Sequence, residues 1–261
     1  MQPLYDTIGS SYAATRRADP AIVEKLAEFL TLESGKKYVD VACGTCNYTS
    51  AMSARGGDWS GVDVSGVMLE AARELHPSLS LAHGDVQALP YETGTFDGAI
   101  CTLAIHHFSD LASALTEVCR VIKSGPIVIF TGIAEQMQTY WLCHYFPTMM
   151  ALSINAMPSR ISIFAALESA GFKNAEEHPF FITPDLVDLF LYSGKHCPEL
   201  YLDPVVRSNI SSFARLCSQS ELHQGLEQLK ADLITGEFVN IAASYFSETG
   251  DYAYVTAHTD A

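Results

Sequence analysis

Positive charge is scarce in this chain: 15 lysines and arginines face 30 aspartates and glutamates, a formal net charge of −15. Nucleic-acid phosphates require a basic face, and so do anionic membrane surfaces, so neither class of partner is expected. Long apolar runs are also missing. No stretch approaches the ~18 uninterrupted apolar residues of a membrane helix. Met1-Gln2-Pro3-Leu4-Tyr5-Asp6 lacks a basic region followed by an apolar run, so no signal peptide is expected. Internal repeats and low-complexity tracts are absent. The cysteines number seven, an odd count, and Cys101, Cys119 and Cys143 lie in apolar segments. Reduced thiols in a cytoplasmic protein fit this better than a disulfide framework does. A small neutral or cationic substrate suits the acidic balance best.

What the chain does have is enough apolar material for a large core: 261 residues, 48% hydrophobic and 17% charged. Asp19-Pro20 reads as a helix cap, with Ile22, Leu26, Phe29 and Leu30 on one apolar face. Short buried strands are expected at 38–43, 59–63, 79–85, 96–104 and 126–133, with helices between them, of which 65–75 is the clearest. The 96–104 strand is nearly all apolar and is expected to be central. Ser109 or Asp110 caps the helix after it. Strands apolar on both faces, alternating with helices, imply parallel βαβ units in a doubly wound α/β sheet.

Past residue 133 the pattern changes. Residues 134–158 carry an aromatic and methionine-rich insertion; 159–170 reads as a helix; 180–183 closes a sixth strand. Residues 184–248 read as a helical insertion, with Ser218 and Glu221 as a capping box. The alternation over 252–258 predicts a final edge strand. The expected organisation is therefore N-terminal helices (1–36), a core (37–183), the helical insertion (184–248) and a returning strand (249–261).

Three strand ends carry polar groups. Val39-Asp40-Val41-Ala42-Cys43-Gly44-Thr45-Cys46-Asn47 marks a strand turning into a helix, where Gly44 allows close approach to the backbone. A dinucleotide fingerprint would need glycine at 42, 44 and 47, and only Gly44 is present. Asp63 ends the second strand, where a carboxylate suits ribose hydroxyls, and Asp85 ends the third, where it suits an adenine amino group. Each aspartate alone would read as a helix cap. Together they mark the carboxyl-terminal edge of an open sheet, where such folds bind ligands. Cys43-x-x-Cys46 also has the spacing of a redox pair or half a zinc site, but no metal site is expected.

Asp40-x-x-x-Gly44, Gly61-Val62-Asp63-x-Ser65-x-x-Met68-Leu69, Gly84-Asp85-x-x-x-Leu89-Pro90 and Phe96-Asp97 resemble class I S-adenosylmethionine-dependent methyltransferases of the type 11 small-molecule group. Leu103-Ala104-Ile105-His106-His107-Phe108 continues the match. The resemblance implies a Rossmann-like seven-stranded sheet, mostly parallel with an antiparallel last strand. It implies S-adenosyl-L-methionine as cofactor and S-adenosyl-L-homocysteine as product. Asp40 and Gly44 would lie near the methionine moiety, with Ala42 and Leu103 also at the cofactor. Asp63 would lie at the ribose and Asp85 with Val86 at the adenine, with Val64 and Met68 also at the cofactor. The group usually has three glycines in its first motif; here Ala42 and Cys46 replace two of them. Tyr5-Asp6-x-x-Gly9-x-x-Tyr12-x-x-x-Arg16 also looks like the group's cofactor-covering segment, in which Tyr12 or Arg16 would meet the cofactor carboxylate.

For chemistry, His106 and His107 are the candidate catalytic pair, as a proton acceptor near neutral pH or as pocket floor. Tyr140 and His144 are alternatives for that role from the insertion, and Tyr140, Trp141 and His144 are candidate substrate-pocket residues, although such a cluster more often forms core. The expected function is methyl transfer to oxygen, nitrogen or carbon of a small-molecule acceptor, by analogy in secondary metabolism or an antibiotic pathway. An NAD(P)-dependent oxidoreductase and a non-catalytic cofactor-binding scaffold stay open as alternatives.

Overall fold

The computed structural model describes residues 15–259. Helix α1 (Pro20–Leu30) starts where Asp19 accepts the amide protons of Ala21 and Ile22 at 3.0 and 3.3 Å. It buries Ile22, Val23, Leu26 and Leu30. Strand β1 (Lys37–Val41) leads into α2 (Asn47–Ser53), β2 (Asp58–Asp63) into α3 (Gly66–Leu75), and β3 (Ser80–His83) follows. Then come β4 (Gly98–Thr102), α4 (Leu111–Val121) and β5 (Pro126–Thr131). Asp110 caps α4, its carboxylate accepting from the Ser113 amide at 3.1 Å. Phe96, expected inside the fourth strand, makes only an isolated bridge with Ile122, so that strand begins at Gly98.

The seven strands form one sheet in the order β3-β2-β1-β4-β5-β7-β6, where β6 is Lys173–Phe180 and β7 is Tyr252–His258. β4 is its middle strand. β1 pairs in parallel with both β2 and β4, and β5 pairs antiparallel with β7. The final strand is not at an edge. It lies between β5 and β6, with Tyr252 through Ala257 all buried; β6, largely exposed, forms that edge. Alternation of large and small residues in β7 looked like alternation of exposure, but both faces are covered. β6 also ends at Phe180, three residues before the expected boundary.

Two compact units divide the chain differently from the sequence reading. The first contains residues through 131, then 161–178 and 253 onward, and holds the sheet. The second comprises 132–160 and 179–252, so the aromatic insertion and the later helical insertion belong to one body. Its helices include α5 (Ala134–Met137), α6 (Leu142–Tyr145) and α7 (Pro147–Ala156); α8 (Arg160–Ser169) follows mainly in the first unit. Later helices are α9 (Pro204–Ser208), α10 (Ser211–Arg215), α11 (Gln219–Thr235) and α12 (Phe238–Ser244). Among the described residues, one stretch, Pro147–Ser169, is long and apolar enough by composition to cross a membrane, but α7 and α8 break within it around Pro158.

The second unit is built on aromatic packing. Tyr140 stacks on Tyr192 with ring centroids 3.9 Å apart, and its hydroxyl donates to the Asp251 carbonyl. Trp141 meets Tyr145, Tyr201 and Phe238 edge-on, and its indole N–H donates to the Lys195 carbonyl at 3.2 Å. The buried Asp251 carboxylate is paired with Lys195 at 2.7 Å and accepts the Ile182 amide proton at 2.8 Å. Ser218 caps α11 as expected, accepting from the Glu221 amide at 3.1 Å. The Glu221 carboxylate instead accepts the amide protons of Thr148 and Met149, at 2.6 and 3.2 Å, and so caps α7.

Candidate functional site

The sheet order reverses between β1 and β4, since β2 and β3 lie to one side and β5 to the other. Connections leaving the carboxyl ends of β1 and β4 therefore part, and the crevice between them is where open α/β sheets bind ligands. Two loops meet this edge: the β1 turn at 42–46 and the β4 loop at 103–107.

The β1 turn is built from left-handed residues. Ala42, Gly44 and Cys46 have φ of 59°, 54° and 62°. For the two non-glycines this region costs roughly 1–2 kcal/mol each, so the turn must be held from outside. The Cys43 amide donates to the Val62 carbonyl at 3.1 Å, and the Cys46 amide to the Cys43 carbonyl at 2.9 Å. Asp63 supplies the third tie: its Oδ2 accepts from the Gly44 amide and its Oδ1 from the Ser65 amide, both at 2.8 Å. A methyl group added at Gly44 would meet nothing within 4 Å, so this part of the turn faces open space.

Asp40 lies beneath the turn, 1% exposed. Its Oδ2 accepts the Thr49 hydroxyl proton at 2.6 Å, and its Oδ1 has no hydrogen-bond partner. Burial, reinforced by the nearby Asp63 charge and opposed by the Thr49 bond, lifts this carboxyl from 3.8 to about 7. Burial also raises Asp63, against the pull of backbone hydrogen bonds from Ser65, Gly44 and Val64. A carboxylate offers about four acceptor positions, so Asp63 keeps capacity beyond the backbone amides that hold it.

Asp85 is exposed and caps the one-turn helix Val86–Ala88, its Oδ1 accepting from the Gln87 amide at 2.9 Å. Val86 is half-buried beside it, and Val64 is 49% exposed after β2. Met68 differs from the expectation for a site residue: its side chain is 2% exposed and committed to the core face of α3.

Leu103 holds a φ of 54°, and its amide donates to the Phe130 carbonyl at 2.7 Å, which turns the chain sharply out of β4. The next turn, Ile105–His107, sets the two histidine rings 3.8 Å apart. His107 is exposed, whereas the Nδ1 of His106 is enclosed without a partner. Burial, then the His107 and Arg16 charges, pull His106 down to about 3, so it stays neutral near pH 7. The Arg16 charge acts on His106, and the Arg16 carbonyl accepts from the Asn47 side-chain amide at 3.0 Å. Tyr12 lies outside the described residues.

The candidate pocket residues fall in the second unit. Tyr140 and Trp141 are 0% and 1% exposed and belong to its aromatic core; His144 is exposed. Sequence reasoning missed Thr49, the donor that holds Asp40, because a threonine inside α2 carries no motif of its own. It also missed Tyr91, whose enclosed hydroxyl lacks a partner and is pushed up to about 12 by burial and by its neighbours Cys43 and Cys46. Among the described residues, no three His, Cys, Asp or Glu side chains gather as metal ligands would.

Residues 39–130 match a family model described as a methyltransferase domain. A crystal structure of a proposed methyltransferase from an antibiotic biosynthesis pathway of Anabaena variabilis aligns with a TM-score of 0.84 at 34% sequence identity. That alignment covers 93% of this chain and 98% of the other. A malonyl-[acyl-carrier protein] O-methyltransferase of Erwinia billingiae is 31% identical over 152 residues, and the chain spans 57% of its length. A demethylmenaquinone methyltransferase of Corynebacterium kroppenstedtii is 29% identical over 198 residues, 65% of this chain and 84% of that relative.

Proposed function

Because this chain belongs to the class I S-adenosylmethionine-dependent methyltransferases, we propose that its β1–β4 edge binds that cofactor for methyl transfer to a small-molecule acceptor of secondary metabolism. The observation that carries the reading is the left-handed β1 turn, fastened by Asp63 and open to solvent at Gly44. Three features fit the cofactor. The orphaned Oδ1 of Asp40 is an unfilled acceptor suited to the cationic methionine end. The uncommitted acceptor capacity of Asp63 suits a ribose diol. Asp85 and Val86, at the end of β3, suit the amino group and face of an adenine.

When bound, the cofactor supplies an electrophilic sulfonium methyl group and departs as S-adenosylhomocysteine. The chain's part is to hold and orient. Arg16, near His106, is assigned to the cofactor carboxylate, for which its planar fork is suited. His106, neutral and enclosed, shapes and positions rather than taking a proton near pH 7. Positioning can supply on the order of 7–11 kcal/mol, so an acceptor oxygen, nitrogen or carbon does not require a strong base. The antibiotic pathway of the Anabaena variabilis relative, similar over 93% of this chain, supports secondary metabolism as the setting.

Titration calorimetry with S-adenosylhomocysteine and with NADH tests the reading: the first binds, and preferential NADH binding would overturn it. Asp63→Ala removes charge-assisted bonds of about 1.5–3 kcal/mol, so affinity falls about 10- to 100-fold. Unchanged affinity rejects the role given to Asp63. Transfer of labelled methyl to hydroxyl, amine or activated-carbon acceptors then sorts the acceptor atom.

A further inference from the structure

The β1 turn contains two thiols that the methyl-transfer reading leaves unused. The Cys46 amide donates to the Cys43 carbonyl at 2.9 Å. Such an i to i+3 closure holds the α-carbons within about 7 Å, against the roughly 4.4–6.8 Å that a disulfide spans. The sulfurs converge as well. The point where a side chain on Gly61 would begin lies 2.8 Å from Cys43 Sγ and 3.1 Å from Cys46 Sγ. The absent side chain at Gly61 makes room for both. A zinc site would need further ligands, and none gather here among the described residues.

We propose that Cys43 and Cys46 form a redox-active dithiol whose closure to a disulfide weakens cofactor binding at the turn. The oxidant is a low-molecular-weight disulfide such as oxidised glutathione. Cys43, half-buried, is reached first, since Cys46 is fully buried. The Cys43 thiolate attacks one glutathione sulfur, forming a mixed disulfide and expelling one glutathione thiolate. Cys46 then attacks Cys43 Sγ and expels the second glutathione. The two thiol protons pass to the two released glutathiones, so the dithiol is oxidised by two electrons and the glutathione disulfide reduced by two. The neighbouring Cys46 thiol and burial hold the Cys43 thiol well above the usual range, so the first step quickens as pH rises.

Loss of affinity follows from where Gly44 sits, between the two cysteines. Drawing Cys43 and Cys46 to bonding distance turns the intervening peptide and pulls the Gly44 amide off Asp63 Oδ2, its partner at 2.8 Å. The turn then loses one of the two backbone-amide ties that fix it to β2, keeping only that from Cys43 to the Val62 carbonyl.

The test treats the full chain with oxidised glutathione, traps remaining thiols by alkylation and maps peptides by mass. The expected product lacks two hydrogen atoms in the 43–46 peptide and is restored by dithiothreitol. Calorimetry with S-adenosylhomocysteine should show affinity lower by about tenfold, the size of one charge-assisted hydrogen bond, recovered on reduction. Cys46→Ser should stop at the mixed disulfide, while Cys197→Ser, at an exposed thiol, should respond as wild type does. If Cys46→Ser fails to fold, the wild-type peptide map still decides. A Cys43–glutathione adduct without closure, or closure without loss of affinity, overturns the proposal. The affinity arm rests on the turn binding the cofactor, whereas the mass arm does not. Failure of the reduced protein to bind S-adenosylhomocysteine would therefore count against the function and not against the dithiol.

Discussion

Replacing Asp40 by asparagine should change how stability depends on pH, and the size of the change follows from the burial of one carboxyl. In the folded chain this group is lifted from 3.8 to about 7, chiefly by burial. Each pH unit of displacement corresponds to about 1.4 kcal/mol, so ionising Asp40 in the folded state costs about 4 kcal/mol. The folded chain holds the proton more tightly than the unfolded chain does. The stabilisation is complete below about pH 4 and is lost as pH rises through about 7. The introduced carboxamide would keep an oxygen for the Thr49 hydroxyl and carry no titratable group, so it imitates the protonated carboxyl. Urea unfolding of wild type and Asp40→Asn from pH 5 to 8 gives a difference curve that cancels other titrations. Wild type should lose about 3 kcal/mol relative to the variant across that window. Curves that stay parallel within about 0.5 kcal/mol, the range of an ordinary surface substitution, would refute the reasoning. A second consequence concerns the cofactor. If its cationic end recruits the ionised carboxyl, its binding releases a proton, and affinity should rise by up to about tenfold per pH unit below 7. That slope should vanish in Asp40→Asn.

Ring-proton NMR of His106 should show no inflection between pH 5 and 8, because burial and two neighbouring charges hold it down to about 3; an inflection near pH 6.5 would restore it as a candidate base. Glu221→Ala uncaps α7, whose Thr148 and Met149 amides it accepts. The loss should be about 1 kcal/mol and about 2–4 °C in melting temperature, and an unchanged melting temperature would show the cap to be inert.

The sheet and its polar strand ends were legible because β1, β4 and β5 are short apolar runs closed by turn chemistry, and that pattern has few other solutions. Asp63 was legible as a ligand group, but not as the acceptor that fastens Gly44, because this bond joins residues 19 positions apart. The left-handed Ala42 and Cys46 were not legible from their own side chains, which carry no sign of positive φ; only the glycines that the resembled group usually has at these positions pointed to it. Tyr140 and Trp141 show the limit of composition. An aromatic cluster reads the same whether it lines a cavity or fills a core, and here both side chains are buried. Glu221 matched a capping box by spacing, yet its carboxylate serves a different helix, since α7 offered unpaired amides.

The order of the last two strands also sets a sequence of events in time. β6, the edge strand, pairs within the sheet only with β7, and the two are separated by about 70 residues of chain. At the usual ~5–20 residues per second of synthesis, β6 waits several seconds on the ribosome for the partner that joins it to β5. The sheet therefore closes last at that side, after most of the second unit has been made. An exposed strand edge during that interval is a template for wrong pairing. Its charged and polar residues, Lys173 and Glu177 on one side and Glu176 and His178 on the other, are the kind of sequence that makes such pairing unfavourable.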